Sequence, residues 1–566
     1  MIRQGTAPGA PLLCASRLIG LGKPDGGVRP IAIGDLVYRV AMKAILITSY
    51  RPEILLPFQL GVNSPGGIEP AIFLLEEAII GKNSSNFQQA ASIDLENAFN
   101  SVDRVAIAAA TATYALTLYK AAAWAYNKPS LLITEDGFML ASSNGVRQGD
   151  PLGPLLFSLA FRPTLEDLAR KLPTATLAAY LDDLYILNKA PLGTLEAAKK
   201  VLEKSPFSLN TAKSWEKSLL DLKQEGIKAL GSFIGPIAPK RAFLAGKIKA
   251  LKEALDALQD LPKQHSLLLL RRSIQLLLRH LQRQLNPIGL DDLWGEADTV
   301  IKEAIIALIA RGPSDCPKEP SPDLLALPVR EGGLGIPLHK ELAAQLHQAA
   351  TEAAQPTLEK IRAPIGSQLA QKSPQKDPPK TAKEVLQEAN KARLETFLST
   401  LPSSYKQARL ENASYLGRKW LGVLPIKKDL SFADSEITEA LRSRLFYLIK
   451  PPSLPCSACG AIAAFSHEDT CKGASRRWVA RHDMVVRAFY RALASQPTLE
   501  VQKEPLVDKA TSLRADLAVT LGTSRYYYDI QIVAISKDLA REDPYETLRE
   551  AAEEKRRKYR SLGAFF

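Results

Sequence analysis

The apolar positions of the first part of the chain follow two alternating patterns. Short β-rich runs, such as 88–95 (QQAASIDL), 180–187 (YLDDLYIL) and 228–236 (KALGSFIGP), alternate with longer helical stretches such as 104–126 (RVAIAAATATYALTLYKAAAWAY). The alternation predicts a mixed α and β region over residues 1–240.

A helical pattern replaces this alternation further along the chain. Over residues 241–312, Leu and Ile recur at helical spacing in 244–261 and 266–285, with Lys and Arg on the remaining faces. This pattern predicts a helical bundle with basic surfaces. Residues 313–451 predict further helices, interrupted near 363–381 by a Pro, Lys and Gln-rich stretch that is typical of a mobile linker.

The last part of the chain predicts two small units. A sharp boundary at PPSLPCSACG precedes a short cysteine-containing segment, residues 452–473. Residues 474–566 combine a helix, strand-like runs at 515–521 and 526–535, and a charged closing helix. This order predicts a small separate α/β domain.

Composition and charge narrow the function classes. The 566 residues are 46% hydrophobic and 23% charged, which is ordinary for a folded soluble protein of several domains. Lys and Arg outnumber Asp and Glu by 73 to 60, giving a net charge of +13 that suits a polyanion such as nucleic acid. No apolar run approaches the roughly 18 residues of a membrane helix, and no secretory signal is apparent. We therefore expect a soluble, unsecreted protein with no membrane partner.

Two adjacent carboxylates, Asp182 and Asp183, interrupt an otherwise apolar run. They have two interpretations, a hairpin tip in water or a buried pair that needs a cationic partner. Asp94 also follows an apolar strand-like run, and a Gly and Pro-containing loop at 144–161 opens an apolar helix between the two sites. Carboxylates on two strands beside such a loop suit two Mg²⁺ ions about 4 Å apart that catalyse phosphoryl transfer.

These motifs, in this order, resemble the reverse transcriptases of non-LTR retrotransposons. The resemblance implies an α+β right-hand polymerase with fingers and palm, a helical thumb, and then a helical connector, a zinc knuckle and a small α/β endonuclease-like domain. It implies that Asp94 and Asp182 ligate both Mg²⁺ ions while Asp183 supports the site. Phe99 would exclude a ribose 2′-hydroxyl, which implies deoxynucleoside triphosphates as substrates.

The resemblance extends to the nucleotide-binding residues. Gln148 and Gly149 match the pair that seats the nucleotide, with Gly149 expected to avoid crowding it. Lys23 and Arg29 would bind the triphosphate, with Arg39 a weaker candidate, and Lys213 would protonate pyrophosphate. Taken singly, each basic residue is better interpreted as a solvated surface charge, but the order of these motifs along one chain reverses that interpretation.

Further segments complete the resemblance. Residues 230–236 (LGSFIGP) resemble the primer grip, and the basic helices after them the thumb. The segment 330–337 (REGGLGIP) resembles one found downstream of such polymerases, and its residues suggest no chemistry of their own. The implied partners are an RNA template and a DNA primer or target, and the implied location is the nucleus.

Three cysteines and a histidine form a second constellation. Cys456, Cys459, His467 and Cys471 offer the four ligands of a closed tetrahedral Zn²⁺ site, which would be structural. The alternative is a set of unconnected buried thiols.

Two acidic residues thirteen positions apart, Asp516 and Asp529, form the third constellation. With a lysine nearby, they could hold a Mg²⁺ ion that activates water against a phosphodiester. The arrangement resembles the restriction-like endonuclease of R2-type elements. Ala515 and Gln531 depart from that family's Pro and Lys, so Lys555 on the closing helix is the candidate replacement cation.

The resemblance as a whole implies RNA-directed DNA synthesis coupled to DNA nicking, which is target-primed reverse transcription. Two alternatives remain open: an inactive nucleic-acid-binding remnant of such an element, and a maturase of the group II intron type. Relative to the family, the chain is expected to lack an N-terminal DNA-recognition module and to have a truncated endonuclease domain.

Overall fold

The structure is a computed structural model, and it divides into two compact units. The first unit comprises residues 1–249, 278–295 and 339–386, and the second comprises 250–277, 296–338 and 387–566. Within the part of the chain that is described, no helix combines the length and the apolar character needed to cross a membrane. The described residues are 1–22, 26–81, 87–191, 193–362, 379–447, 455–462, 467, 471–510, 512–533 and 544–560.

Strands and helices alternate along the first 240 residues, as the apolar pattern predicts. The strands of the chain are β1 (Ser16–Gly22), β2 (Val28–Gly34), β3 (Gln89–Ile93), β4 (Ser130–Ile133), β5 (Met139–Ser142), β6 (Thr176–Tyr180), β7 (Asp183–Asn188), β8 (Trp215–Ser218), β9 (Ile227–Ala229), β10 (Ser232–Ile234), β11 (Glu500–Lys503), β12 (Leu506–Asp508), β13 (Leu513–Arg514), β14 (Leu517–Leu521) and β15 (Ser524–Tyr528).

Helices occur throughout the described residues and dominate them after residue 240. They are α1 (Ala10–Leu13), α2 (Leu36–Ser49), α3 (Glu69–Ile80), α4 (Ala98–Ser101), α5 (Arg104–Tyr114), α6 (Leu116–Tyr126), α7 (Gly153–Lys171), α8 (Thr194–Leu202), α9 (Leu219–Glu225), α10 (Ile237–Asp256), α11 (Lys263–Arg272), α12 (Arg279–Gln284), α13 (Asp291–Ile309), α14 (Pro322–Ala326), α15 (His339–Arg362), α16 (Ala382–Thr400), α17 (Ser403–Ala413), α18 (Tyr415–Lys419), α19 (Asp434–Arg444), α20 (Ser475–Ala494) and α21 (Pro544–Tyr559).

The first unit contains two four-stranded sheets and a hairpin. One sheet has the order β2-β1-β4-β5, in which β1 and β2 form an antiparallel hairpin and β4 runs parallel to β1. The other has the order β6-β7-β3-β8 and is antiparallel throughout. Strands β9 and β10 form the separate hairpin. After the segments that carry the resemblance in the sequence, we call these the fingers sheet, the palm sheet and the primer-grip hairpin.

The palm sheet is buried on both faces. Ile93 of β3 and Leu184 of β7 join one core, which α7 completes. Ala90 of β3 and Tyr185 of β7 point to the opposite face and join a second core, which α3 completes. Double burial explains why these strands appear in the sequence as continuous apolar runs, with no alternation of polar residues.

Two predicted helical stretches are interrupted in the structure. The stretch 104–126 is divided into α5 and α6 at Ala115, whose backbone is non-helical (φ −143°, ψ 53°) and whose side chain is buried. The stretch 266–285 is divided after α11, where Ser273 is also non-helical. Ala is a strong helix former, so tertiary packing overrides local propensity at the first break.

The second unit is helical up to the cysteine-containing segment and then becomes mixed. Its final part contains the three-stranded sheet β11-β14-β15 and the hairpin β12-β13, together with α20 and α21. Most of the predicted linker, residues 363–378, lies outside the described residues. The predicted domain borders stay predictions.

Candidate active site and metal centre

The three aspartates expected to be catalytic meet at one end of the palm sheet. Asp94 directly follows Ile93, which pairs with Leu184, and Asp183 directly precedes Leu184. Continuing this register places Asp94 opposite Asp183 on neighbouring strands, where β-carbons are about 5 Å apart. Asp182 lies in the turn that joins β6 to β7.

Electrostatics show that the three carboxylates share one site. Partial desolvation raises the pKa of Asp183 to about 6, and the negative charges of Asp182 and Asp94 add to this effect. Desolvation and the charge of Asp94 also raise the pKa of Asp182, while the nearby Arg29 opposes the rise. Clustered carboxylate oxygens with raised pKa values are a donor set that a hard divalent cation such as Mg²⁺ fits. The pair does lie at the tip of the β6–β7 hairpin, with Asp182 half-buried and Asp183 exposed, and the raised pKa values distinguish it from a fully solvated tip.

The loop after α8 holds Asp94 in place. The backbone N–H of Asp94 donates to Ser214 Oγ (2.9 Å), and its Oδ2 accepts from Asn210 Nδ2 (2.7 Å). Lys213 is exposed in the same loop, which brings it to the neighbourhood of Asp94. Asn210 was not predicted as a site residue, although it lies inside the motif that identified Lys213.

A second residue missed from the sequence, Gln59, holds the turn that carries Asp182. Its side chain is fully buried, donates through Nε2 to the carbonyl of Leu181 (2.9 Å) and accepts from the N–H of Leu181 (2.7 Å). Leu181 has a left-handed backbone (φ +58°), which a non-glycine residue adopts only at a cost. Gln59 therefore stabilises the conformation that positions Asp182 and Asp183.

We expect Gln59→Leu to lower kcat for nucleotide addition about tenfold to a hundredfold, because two unmade buried hydrogen bonds cost roughly 1–3 kcal/mol each. The KM for nucleotide should change much less, since Gln59 holds the turn and not the substrate. Steady-state primer extension separates the two parameters. Gln264 is a matched control, because this buried glutamine also bonds backbone groups, at residues 423, 430 and 432. An equal fall in kcat for Gln264→Leu would contradict a positioning role for Gln59.

The Gln148 and Gly149 loop is bonded to the fingers sheet. Ala32 of β2 donates its N–H to the carbonyl of Gln148 (2.7 Å). Gly149 has a φ of +113°, and a Cβ there would lie 2.5 Å from the carbonyl oxygen of Ala32. In this structure, glycine is thus required by the neighbouring strand, whereas the sequence suggested crowding of the nucleotide.

A buried ion pair, Arg147–Asp150, flanks this loop in the sequence. Arg147 donates to Asp150 Oδ2 (2.7 Å), and both side chains are almost completely buried. Tyr38 and Tyr126 donate to the same carboxylate oxygen, and the Arg147 guanidinium lies over the Tyr126 ring at 4.7 Å. Arg147 also donates to the carbonyl of Cys14 (2.6 Å). Hydrogen bonds to both ions compensate the cost of burying them.

We expect Arg147→Met to lower the free energy of unfolding by about 3–5 kcal/mol, because it leaves the Asp150 carboxylate buried without its partner. Chemical denaturation monitored by circular dichroism measures the change. The control is Arg162→Met, which removes a partly exposed pair with Glu166. Such a pair contributes at most about 1 kcal/mol. Equal losses of unfolding free energy in the two variants would show that the buried network contributes no more to stability than a partly exposed ion pair.

The remaining predicted nucleotide-binding residues differ in their surroundings. Arg29 is exposed on β2, close enough to affect the pKa of Asp182. Phe99 is half-buried on α4, and its ring stacks on Phe157 at 4.5 Å, which fixes its orientation. Lys23 lies outside the described residues.

The three predicted cysteine ligands and the histidine form one cluster. The ligand atoms of Cys456, Cys459, His467 and Cys471 all lie within 4.8 Å of one another. Backbone N–H groups of Ala458 and Cys459 lower the pKa of Cys456 to about 6, which favours the thiolate that binds metal. The donor set and its closeness fit a tetrahedral Zn²⁺ ion, and they do not fit unconnected thiols.

We expect the purified chain to contain about one zinc ion, because four ligands complete one closed tetrahedral site. Elemental analysis measures the content, and a strong chelator should remove the metal and lower the melting temperature. Cys471→Ser should abolish the zinc content, whereas Cys316→Ser, at an exposed cysteine, should leave it unchanged. Retention of zinc by Cys471→Ser would show that the cluster is not the binding site.

The third predicted constellation also comes together in the structure. Asp516 accepts a hydrogen bond from the N–H of Ile530 (2.6 Å), which follows Asp529. Asp529 Oδ2 accepts from Lys555 Nζ (2.9 Å) and from the Tyr559 hydroxyl (2.5 Å). Lys555 on α21 is therefore ion-paired with Asp529.

The pKa values of the two acids are shifted in opposite directions. Burial raises the pKa of Asp516, and a hydrogen bond with Asp529 adds to the rise. Burial also opposes ionisation of Asp529, but hydrogen bonds from Lys555 and Tyr559 outweigh it and lower the pKa. His482 Nε2 lies 3.4 Å from Asp516 Oδ2, a contact that the sequence did not suggest. A cleft of about 490 Å³ adjoins Asp529 and Lys555.

Comparison with known proteins finds relatives of the segment that contains the first of these sites. Residues 21–234 match the family model described as reverse transcriptase (RNA-dependent DNA polymerase). The chain is 24% identical over 595 residues to the retrotransposable element SLACS 132 kDa protein of Trypanosoma brucei gambiense, covering 97% of this chain and 45% of that protein. It is 27% identical over 242 residues to the transposon TX1 uncharacterized 149 kDa protein of Xenopus laevis, covering 37% and 18%.

The chain thus spans less than half the length of these relatives. Among solved structures, apo telomerase from Candida tropicalis aligns with a TM-score of 0.33 and 10% identity, over 64% of this chain and 67% of that one. The RNA-dependent RNA polymerase of a human picobirnavirus aligns with a TM-score of 0.31 and 14% identity, over 52% and 64%.

Proposed function

We propose that this chain, which carries the reverse transcriptase domain of a non-LTR retrotransposon protein, copies RNA into DNA by two-metal nucleotidyl transfer at Asp94, Asp182 and Asp183. The observation that carries the proposal is the convergence of the three carboxylates at one end of the palm sheet, with pKa values of Asp182 and Asp183 raised by desolvation and mutual repulsion. A divalent cation relieves this repulsion.

The protein groups would divide the work of nucleotide addition. Asp94 and Asp182 would hold two Mg²⁺ ions, which supply Lewis-acid activation of the primer 3′-hydroxyl and stabilise the leaving pyrophosphate. Arg29 would draw the triphosphate towards Asp182, and Gln148 and Gly149 would seat the base. Lys213, exposed beside Asp94, would donate a proton to pyrophosphate. The rigidly stacked Phe99 would exclude a ribose 2′-hydroxyl.

Primer extension on an RNA template tests this proposal. The purified chain, with a labelled DNA primer, deoxynucleoside triphosphates and Mg²⁺, should give full-length DNA, and ribonucleotides should be rejected. Absence of extension by a well-folded chain would instead favour a nucleic-acid-binding remnant.

We further propose that the C-terminal domain nicks DNA and so exposes the 3′-hydroxyl that primes synthesis. The support is the cluster of Asp516, Asp529 and Lys555 beside an open cleft. Two carboxylates could hold a Mg²⁺ ion that activates water, while Lys555 stabilises charge on the phosphate. The presence of this domain also argues against the alternative of a group II intron-type maturase.

A supercoiled plasmid is the probe for nicking. In Mg²⁺, the full chain should convert supercoiled DNA to the open-circular form, and the new 3′ ends should be extended when RNA template and nucleotides are added. Plasmid that stays supercoiled while primer extension proceeds would overturn the nuclease proposal alone.

A further inference from the structure

The second unit contains a basic cleft that is separate from both proposed catalytic centres. It encloses about 500 Å³, within the range of about 300–1,000 Å³ that is typical of ligand sites. Among the described residues that line it, none is acidic. Its polar lining comes mainly from Arg271, Arg272, Arg330, Tyr415, Arg418 and Lys419.

The REGGLGIP segment forms one wall of this cleft. Arg444 is fully buried and donates to the carbonyl of Gly333 through two nitrogens (2.8 and 3.1 Å), and to that of Val329 (3.0 Å). Gly333 has no room for a side chain, since a Cβ would lie 2.2 Å from the carbonyl oxygen of Leu327. The segment is therefore a rigid turn that holds exposed Arg330 at the cleft wall.

Arg271, in the lining of the cleft, provides a second rigid support. Arg271 donates to the carbonyls of Leu421 (2.6 Å) and Leu334 (3.0 Å), so it joins α11 to two loops. Burial and the charge of Arg272 lower the pKa of Arg271 to about 10. Burial, with the charges of Arg271 and Arg418, lowers the pKa of Arg444 to about 9. Positive charge is thus concentrated here at an energetic cost, which a bound anion would offset.

An exposed aromatic ring lies beside the positive charges. Tyr415 is 63% exposed at the start of α18, and Lys419 Nζ lies over its ring at 5.3 Å. A cation and a flat ring on one short helix allow a base to stack while its phosphate is neutralised. Neither a free phosphate nor a lipid headgroup would need the exposed ring.

We propose that this cleft binds one segment of a single-stranded nucleic acid, with a base stacked on Tyr415 and phosphates held by Arg272, Arg330 and Lys419. The strand could be RNA or DNA, since both offer this chemistry. Binding here would anchor a strand in the second unit independently of nucleotide addition.

Fluorescence anisotropy of the full chain with labelled oligouridine, over a range of KCl concentrations, tests the proposal. The double variant Arg272→Ala/Arg330→Ala should reduce the slope of log K against log salt by about 1.4, because each neutralised phosphate contributes about 0.7 for single strands. The matched control is Lys199→Ala/Lys200→Ala, which removes two exposed charges from α8 and should leave the slope unchanged.

Tyr415 provides the second arm of the test. Tyr415→Ala should weaken binding about tenfold, in line with the loss of one stacked base, whereas Tyr415→Phe should bind as the parent does. Oligothymidine repeats both arms with DNA, so a loss confined to oligouridine would identify RNA as the ligand. The proposal is overturned if the arginine double variant matches the lysine control, or if Tyr415→Ala binds like the parent. No nucleotides are added, so a chain without polymerase activity would still give a clear result.

Discussion

Asp182→Asn is expected to reduce primer extension by at least about a thousandfold, because losing a ligand to the metal ions removes several kcal/mol of transition-state stabilisation. The folded chain should remain intact. Asn is isosteric with Asp, and the substitution removes one of the negative charges that raise the pKa of Asp183. In the absence of metal, the melting temperature should therefore stay the same or increase.

The matched control for this variant is Asp167→Asn, which neutralises an exposed aspartate on α7. Single-turnover extension with saturating primer and template measures the chemical step for parent, variant and control. Substantial extension by Asp182→Asn would contradict the proposed metal ligation, even if the parent is active.

Asp516→Asn is expected to reduce plasmid nicking at least about a hundredfold, because the neutral amide cannot share a divalent cation with Asp529. The amide oxygen can still accept the hydrogen bond from the N–H of Ile530, so local folding should survive. Gel analysis of open-circular product against time measures the rate, and primer extension by the same preparation reports its integrity.

Asp429→Asn serves as the comparison, because it removes an exposed carboxylate elsewhere in the second unit. If Asp516→Asn nicks as fast as Asp429→Asn, the carboxylate pair is not the nuclease centre. If both lose activity together, the loss is not specific to Asp516 and does not support metal binding there.

The clustering of the three carboxylates could be predicted because they interrupt the apolar pattern around them. Charged residues within apolar runs need a reason, and a shared metal site is the proposed one for Asp94, Asp182 and Asp183. Lys555 could be predicted in the same way, as a cation required beside Asp516 and Asp529 after Gln531 failed to supply it.

Residues that act through the backbone could not be predicted in this way. Gln59 bonds to Leu181, 122 positions along the chain, and nothing in its local sequence indicates that its amide is buried. Asn210 bonds to Asp94, which is similarly distant in the sequence. The Arg147–Asp150 pair is close in sequence but is buried in the core. The helix break at Ala115 has the same origin, since long-range packing outweighs a weak local preference.

The hydrogen bond from Ala32 to Gln148 has a mechanical consequence. It couples the strand that carries Arg29 to the loop that carries Gln148 and Gly149, the residues proposed to seat the base. Any displacement of the β1–β2 hairpin would therefore be transmitted to this loop. Under the proposed function, binding of the triphosphate at Arg29 and of the base at Gln148 and Gly149 would then be mechanically linked.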